Sequence, residues 1–362
     1  MGMLDGKVAL VTGAGGGLGR THALLLASEG AAVVVNDLGG ARDGSGSGTN
    51  MADTVVQEIK DSGGEAVADY GNVSVPEDAR NMVKAGVDNF GKLDILIANA
   101  GILRDKSFKN MDDAMWDIVV NVHLKGTYLT TKAAYDQMLE QGEGGRIVVT
   151  SSTSGLLGNF GQTNYGAAKA GIAGMARCLY LEGMKYGINV NILAPTALSR
   201  LTDDVMPDAV KDQIPPDRVS PAVVWLCSDD AKEVTGRTWL VSGNRVSMLA
   251  WNLMPIAQKD EAEGPWDVDE VGEAILATKD SWPSINPMRG FDVCAWNLSQ
   301  RNWWKESVTE DPEKPRGYPA RKAFSSNTNA YVGPTPHRVG PTLLLERRPN
   351  APRNPMADAI ND

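Results

Sequence analysis

The chain has 362 residues, with 45 acidic against 35 basic side chains and a formal charge of -10. That length suits one large α/β domain with an appendage, or two modest domains, and either buries a substantial core. A negative surface repels phosphate backbones and anionic lipid, which argues against nucleic acid or a membrane as partner. Cys178, Cys227 and Cys294 are widely spaced and odd in number, fitting free thiols in a reducing compartment, so the expected localisation is cytoplasmic. Met1 to Leu10 lacks the features of a secretory signal, no segment is long enough to span a bilayer, and Ile360-Asn361-Asp362 does not read as a peroxisomal address.

Seven short apolar runs alternate with helical patterns: Lys7–Thr12, Ala31–Asp37, Glu65–Asp69, Leu93–Asn99, Arg146–Ser151, Ile188–Leu193 and Arg237–Ser242. Their near-continuous Val, Ile, Leu and Ala content suits strands buried on both faces. The predicted fold is therefore α/β, a Rossmann-like, doubly wound, seven-stranded parallel sheet with its ligand crevice at the strand carboxyl ends.

The first strand runs into Thr12-Gly13-Ala14-Gly15-Gly16-Gly17-Leu18-Gly19 and then a helical stretch from Arg20 to Ser28. A glycine-rich turn opening a helix lets the backbone approach a pyrophosphate, with free N–H groups and the positive dipole end supplying attraction. Gly13, Gly17, Leu18 and Gly19 are the cofactor-binding candidates here. At the end of the second strand, 24 positions after Gly13, stands Asp37, where a carboxylate binds ribose hydroxyls and repels a 2′-phosphate, favouring NAD over NADP. Arg20 and Arg42 are the nearby cations, and Gly39–Gly48 reads as a mobile loop at the cofactor edge. The third strand ends in Asp69-Tyr70-Gly71-Asn72-Val73. Asn72 and Val73 are cofactor candidates, with Asn72 and Asp69 both open as the adenine contact.

A helical run spans Met115 to Glu140, and the fifth strand ends at Ser151 and Ser152. Tyr165-Gly-Ala-Ala-Lys169 puts a phenol and an ammonium at i and i+4 on one helix face. A phenol with a pKa near ~10 is a poor base at neutral pH, but a fixed lysine and an oxidised nicotinamide both favour its phenolate. Ser152 lies 13 residues before Tyr165, where its hydroxyl holds a substrate oxygen opposite the phenol. Ser151 and Ser154 are alternatives, and the spacing selects Ser152. His22, His123 and His337 do not cluster with the cysteines in any metal-ligand spacing, no GxSxG elbow occurs, and His123 reads as an ordinary helix residue.

After Leu249 the composition changes: 13 of the 19 prolines and six of the nine tryptophans fall in the final 113 residues. Residues 1–249 are thus expected to form the nucleotide-binding domain. Residues 250–362 form an irregular Trp/Pro-rich C-terminal extension with one helix, about Asp267 to Lys279, anchored by aromatics to its own domain or a neighbouring subunit.

Together these motifs resemble the short-chain dehydrogenase/reductase family over Leu4 to Met248, with Thr12 and the following glycines matching its TGxxxGxG pattern. Asn99-Ala100-Gly101 is similar to its NAG motif beside the adenine ribose. The resemblance implies Tyr165 as general acid/base, Ser152 as substrate orienter, Lys169 as pKa modulator and ribose ligand, and Asn121, in a locally opened helix, as anchor of a proton relay. The family's Pro-Gly after the sixth strand is Pro195-Thr196 here, with Pro195 carried over as a cofactor contact. Three stretches, Val35 to Gly40, Gly158 to Tyr165 and Ala194 to Pro207, resemble more narrowly the (3R)-hydroxyacyl-CoA dehydrogenase part of multifunctional enzyme type 2 and related bacterial hydroxysteroid dehydrogenases. That branch implies an NAD-dependent exchange of a bulky secondary alcohol and its ketone by a homodimer or homotetramer. The competing expectation is a nucleotide-sensing binding protein that uses the fold without turnover.

Overall fold

In the computed structural model, residues 2–198, 211–251 and 253–281 are described. The stretch 199–207, Cys294, His337 and the tryptophans from Trp282 onward, with the anchoring expected of them, lie outside the described residues.

All seven predicted strands form: β1 Val8–Thr12, β2 Ala32–Asn36, β3 Ala66–Asp69, β4 Ile95–Ala98, β5 Gly145–Thr150, β6 Ile188–Thr196 and β7 Thr238–Ser242. They pair in parallel in the order β3-β2-β1-β4-β5-β6-β7. Every residue of β1, β2 and β4 is buried, as continuous apolar runs require when both faces are covered. On one face of the sheet Ala9, Val11, Val33 and Val35 pack beneath α1 Gly17–Ser28 and α2 Asn50–Asp61. On the other Leu10, Val34, Leu96 and Ile147 pack against α3 Pro76–Phe90 and the long helices that follow β4 and β5. Strand order reverses between β1 and β4, which opens a crevice at their carboxyl ends.

An eighth strand, β8 Arg245–Leu249, joins antiparallel to β7, with Ser242 paired to Arg245. Gly243, at φ +54°, and Asn244 make the two-residue hairpin between them. Gly-Asn between two apolar runs is a hairpin signal, although no eighth strand was expected. β6 runs to Thr196, longer than expected. Its last β5 partner is Leu193, so Pro195 lies beyond the stretch where that neighbour requires an N–H.

The helical run after β4 is not continuous. It divides into α4 Asp113–Val120, a wide π-type turn Asn121–Lys125 and α5 Gly126–Gln141, with the Gly126 N–H reaching back five residues to Asn121 O. Beyond β5 come the short α6 Thr153–Leu157 and then α7 Thr163–Gly183, and α8 Ser220–Leu226 precedes β7. No described helix is long and apolar enough to cross a membrane.

Residues 256–281 belong to a second compact unit. Its helix α9, Val268–Ala277, starts on a capping box in which Asp267 and Glu270 bond each other's backbone N–H. Lys259 pairs with Glu270 and lies 5.6 Å from the Trp266 ring centroid.

Candidate active site

The β1–α1 turn is shaped by two glycines that no larger residue can replace. Gly13 has φ +65°, and a Cβ there would lie 2.7 Å from Ala100 Cα. A Cβ on Gly19 would lie 2.1 Å from Gly13 O. Gly16 caps α1 without any side-chain acceptor, so the positive end of the helix is left to whatever fills the crevice. Gly17 opens α1, and half-buried Leu18 packs on the core instead of facing outward.

Asn99 and Ala100 brace this turn, whereas Gly101 lies against the His123 ring. Thr12 Oγ1 accepts the N–H groups of Asn99 at 3.0 Å and Ala100 at 3.1 Å. The Asn99 amide returns bonds to Thr12 O at 3.1 Å and Gly13 O at 3.2 Å.

Asp37 sits at the end of β2, 8% exposed, with its carboxylate held by two backbone donors. Gly15 N–H bonds Oδ2 at 2.8 Å and Gly39 N–H bonds Oδ1 at 2.7 Å. Gly15 and Gly39 were not singled out from the sequence, because only the folded β2 end brings them together. Arg20, one of the two nearby cations, is paired with Glu58 on α2. The Gly39–Gly48 loop is joined by hydrogen bonds to the segment after β4. Arg104 Nε donates to Asp43 O at 2.7 Å and Leu103 N–H to Arg42 O at 3.1 Å.

At the β3 end, Asp69 Oδ1 is engaged by the Asn36 amide at 2.7 Å and Gly71 N–H at 2.9 Å. Asn72 Oδ1 accepts Ser74 N–H at 2.9 Å, and Val73 is buried in the core. Pro195 stands half-buried at the β6 end.

The catalytic candidates gather at the neighbouring strand ends. Ser152 caps α6, its Oγ accepting the Ser154 N–H at 3.2 Å, and its side chain acts on the Tyr165 phenol, favouring the ionised form. Of the alternatives, Ser151 Oγ donates to Lys169 O at 2.8 Å and Ser154 Oγ to Gln162 Oε1 at 2.8 Å, so both are committed elsewhere. Lys169 is 3% exposed; its Nζ donates to Thr150 O at 2.6 Å and lies 5.6 Å from the Tyr165 ring centroid. Asn121 begins the π-type turn, which packs against α7, and its carbonyl accepts the Ser74 hydroxyl at 3.4 Å.

Burial dominates the titration of this cluster. It pushes the Tyr165 phenol up to about 12, against the opposing Ser152 hydrogen bond and with a smaller push from Asp105. It pulls Lys169 down to about 7. In the protein alone, desolvation of the phenolate holds the phenol up.

Two residues outside the predicted set stand beside Tyr165. His123, read from the sequence as an ordinary helix residue, is 1% exposed, and its ring meets the Tyr165 ring edge-on at 5.1 Å and 85°. Asn164 is 0% exposed and accepts the Tyr165 N–H at 2.7 Å. No spacing rule marks either one.

The profile of the short chain dehydrogenases matches residues 7–209, which is more than half of the chain. The chain belongs to the short-chain dehydrogenase family. Within that family it is 51% identical to a short-chain type dehydrogenase/reductase of Mycobacterium tuberculosis over 67% of this chain and 85% of that protein. It is 48% identical to the mouse peroxisomal multifunctional enzyme type 2 over 68% of this chain, a match that spans 33% of the mouse enzyme's length. A hydroxyacyl-CoA dehydrogenase of Mycobacterium tuberculosis is 38% identical over 80% of this chain and 93% of its own length. Among solved structures, a short chain dehydrogenase from Mycobacterium avium superposes with a TM-score of 0.68 and 41% identity, covering 77% of this chain and 96% of that one. One from Mycobacterium paratuberculosis bound to NAD does so at 0.61 and 26% identity, covering 67% and 98%. As a short-chain dehydrogenase the protein is an NAD(P)-dependent oxidoreductase.

Proposed function

We propose that this short-chain dehydrogenase interconverts a bulky secondary alcohol of the 3-hydroxyacyl-CoA or hydroxysteroid type and its ketone, with NAD as hydride carrier. The observation that carries this reading is the half-buried Tyr165, with Lys169 Nζ 5.6 Å from its ring centroid and with Ser152 acting on its phenol. The names of the hydroxyacyl-CoA and multifunctional-enzyme relatives support the acyl-CoA class.

The crevice residues fit a dinucleotide. The side-chain-free cap at Gly16 suits a pyrophosphate, and the fixed Asp37 carboxylate retains lone pairs for ribose hydroxyls. Gly13, Gly17, Leu18 and Gly19 would hold the pyrophosphate end. Asp37, Asn72 and Val73 would hold the adenosine, and Asn99, Ala100, Gly101, Pro195, Tyr165 and Lys169 the remaining ribose and nicotinamide. Asp37 repels a 2′-phosphate, and the pairing of Arg20 with Glu58 withholds a counter-charge; both favour NAD. A nicotinamide held by these residues would supply the hydride acceptor for the carbinol carbon and, in its oxidised form, a positive charge beside the phenol.

In the oxidative direction the Ser152 hydroxyl orients the substrate oxygen and Tyr165 takes its proton, and reduction reverses these roles. Burial penalises the phenolate and the ammonium separately, whereas forming them side by side lets the two charges offset. Lys169 therefore serves Tyr165 as a counter-ion, and Asn121 anchors the path by which the proton reaches solvent. The working form is a homodimer or homotetramer, checked by mass in solution.

The test is absorbance of reduced cofactor with 3-hydroxyacyl-CoA thioesters, hydroxysteroids and short alcohols, each with NAD and NADP. Turnover of the bulky substrates with NAD is expected. Binding of NAD with no turnover on any alcohol would overturn the reading in favour of a nucleotide sensor.

A further inference from the structure

We infer that Asn164 and His123 are positioning residues that fix Tyr165 for proton transfer, Asn164 through its backbone and His123 through its ring. The inference rests on the role proposed for Tyr165.

Asn164 is the second residue of α7, where backbone N–H groups have no partner within the helix, and the helix cap Gln162 supplies no side-chain acceptor. Asn164 Oδ1 takes the Tyr165 N–H at 2.7 Å. Its two amide protons go to Arg104 O at 3.0 Å, in the segment after β4, and to Met115 O at 3.1 Å, on α4. One fully buried amide thus ties Tyr165 to two other elements, and an asparagine has no donor left over.

His123 holds the ring from the opposite element. The π-type turn starting at Asn121 carries it inward, onto Gly101 and Tyr165. A Cβ on Gly101 would lie 2.3 Å from His123 Cε1, so the glycine makes room for the imidazole. His123 Nε2 lies 2.7 Å from Ile102 O and 3.2 Å from Ile102 N. The shorter contact is to an acceptor, so Nε2 carries the proton, and buried Nδ1 is left without a partner. The ring is therefore oriented by Ile102 and leans edge-on against Tyr165 at 5.1 Å. The charged groups acting on this pair are Lys169, on His123, and Asp105, on Tyr165. His123 stays neutral in the working range and does not compete with the phenol for its proton.

A displacement on the order of 1 Å at a reacting group costs about 100-fold in rate. Asn164→Ala and His123→Leu are each expected to lower kcat by about 10- to 100-fold, leave KM for NAD within about two-fold, and move the pH limb of kcat downward as solvent reaches the phenol. His123→Phe, which keeps an aromatic edge against Tyr165, should recover most of that loss. A readout independent of turnover comes from labelling the ring Cζ of the eight tyrosines for NMR, with the Tyr165 line assigned by its loss in Tyr165→Phe. That line should move in both variants while the others stay. Folded His123→Leu or Asn164→Ala protein with an unmoved Tyr165 line and an unmoved pH limb would overturn the inference, as would a rate loss that only tracks the folded fraction. If Asn164→Ala does not fold, His123→Leu decides alone. Absence of turnover in the unaltered protein would remove the proposed reaction, and the NMR line would still decide what places Tyr165.

Discussion

The two ends of the crevice are built on different terms. At the β1–β2 end, polar groups meet in satisfied pairs: Asp37 with Gly15 and Gly39, Asn99 with Thr12 and Gly13, Asp69 with Asn36 and Gly71. At the β5–α7 end, burial has displaced the titration of Tyr165, Lys169 and His123, and His123 Nδ1 and Thr150 Oγ1 are buried with no partner. Apart from the uncapped start of α1, the first end is finished before a ligand arrives. The second holds groups whose burial cost falls only when charges form together, the condition that acid–base chemistry at neutral pH needs.

The largest expected effect breaks the second end alone. Tyr165→Phe should lower kcat by about a thousand-fold while NAD affinity, measured by fluorescence titration, stays within a few-fold; an equal loss in both would mean the ends are not separable. Asp37→Ala is the converse. Removing charge-assisted bonds worth about 1.5–3 kcal/mol should raise KM for NAD by about 10- to 100-fold, narrow the preference over NADP, and leave the pH limb of kcat in place. It also strips acceptors from Gly15 and Gly39, so a fall in melting temperature should accompany it.

Buried histidines give a third prediction, of stability against pH. His22, bonded through Nδ1 to Ser220 Oγ at 2.8 Å, and His123 are both held down to about 3 by burial. The unfolded chain binds protons at these positions first, so stability is full above about pH 6.5 and is lost as pH falls toward 3. The slope is about 1.4 kcal/mol per histidine per pH unit. Denaturant titrations of His22→Gln should show a shallower slope, and an unchanged slope would mean that other groups govern acid unfolding. The smallest effect is at Thr150, whose hydroxyl lacks a partner although its carbonyl receives Lys169. Thr150→Val should change stability by no more than about 1 kcal/mol, because no hydrogen bond is removed.

Much of this was legible in one dimension. The seven strands came from apolar runs bounded by turns, and each ended within a few residues of its expected place. β6 runs on because Pro195 lies past its β5 partners, and β8 adds a strand through the Gly243-Asn244 hairpin, which follows β7 too closely to stand out as a separate apolar run. The asparagine of the resemblance, Asn121, does start an opened turn. What the helical period concealed was the effect of that turn: one extra residue rotates His123 from a helix flank onto Tyr165. Asn164 escaped notice for a similar reason, since its partners Arg104 and Met115 lie 60 and 49 residues away.

By itself the sequence determined the layered α/β architecture, the glycine turn and the order of Ser152, Tyr165 and Lys169, because strand burial, tight turns and helix-face spacing are local properties of residue type. The tertiary structure alone decided where the hydroxyls of Ser151 and Ser154 are committed, that the Gly39–Gly48 loop is tied to Arg104, and how far burial shifts each proton. Those depend on distances between segments far apart in the chain and on how much solvent the packed layers exclude, and neither is written in any short stretch of residues.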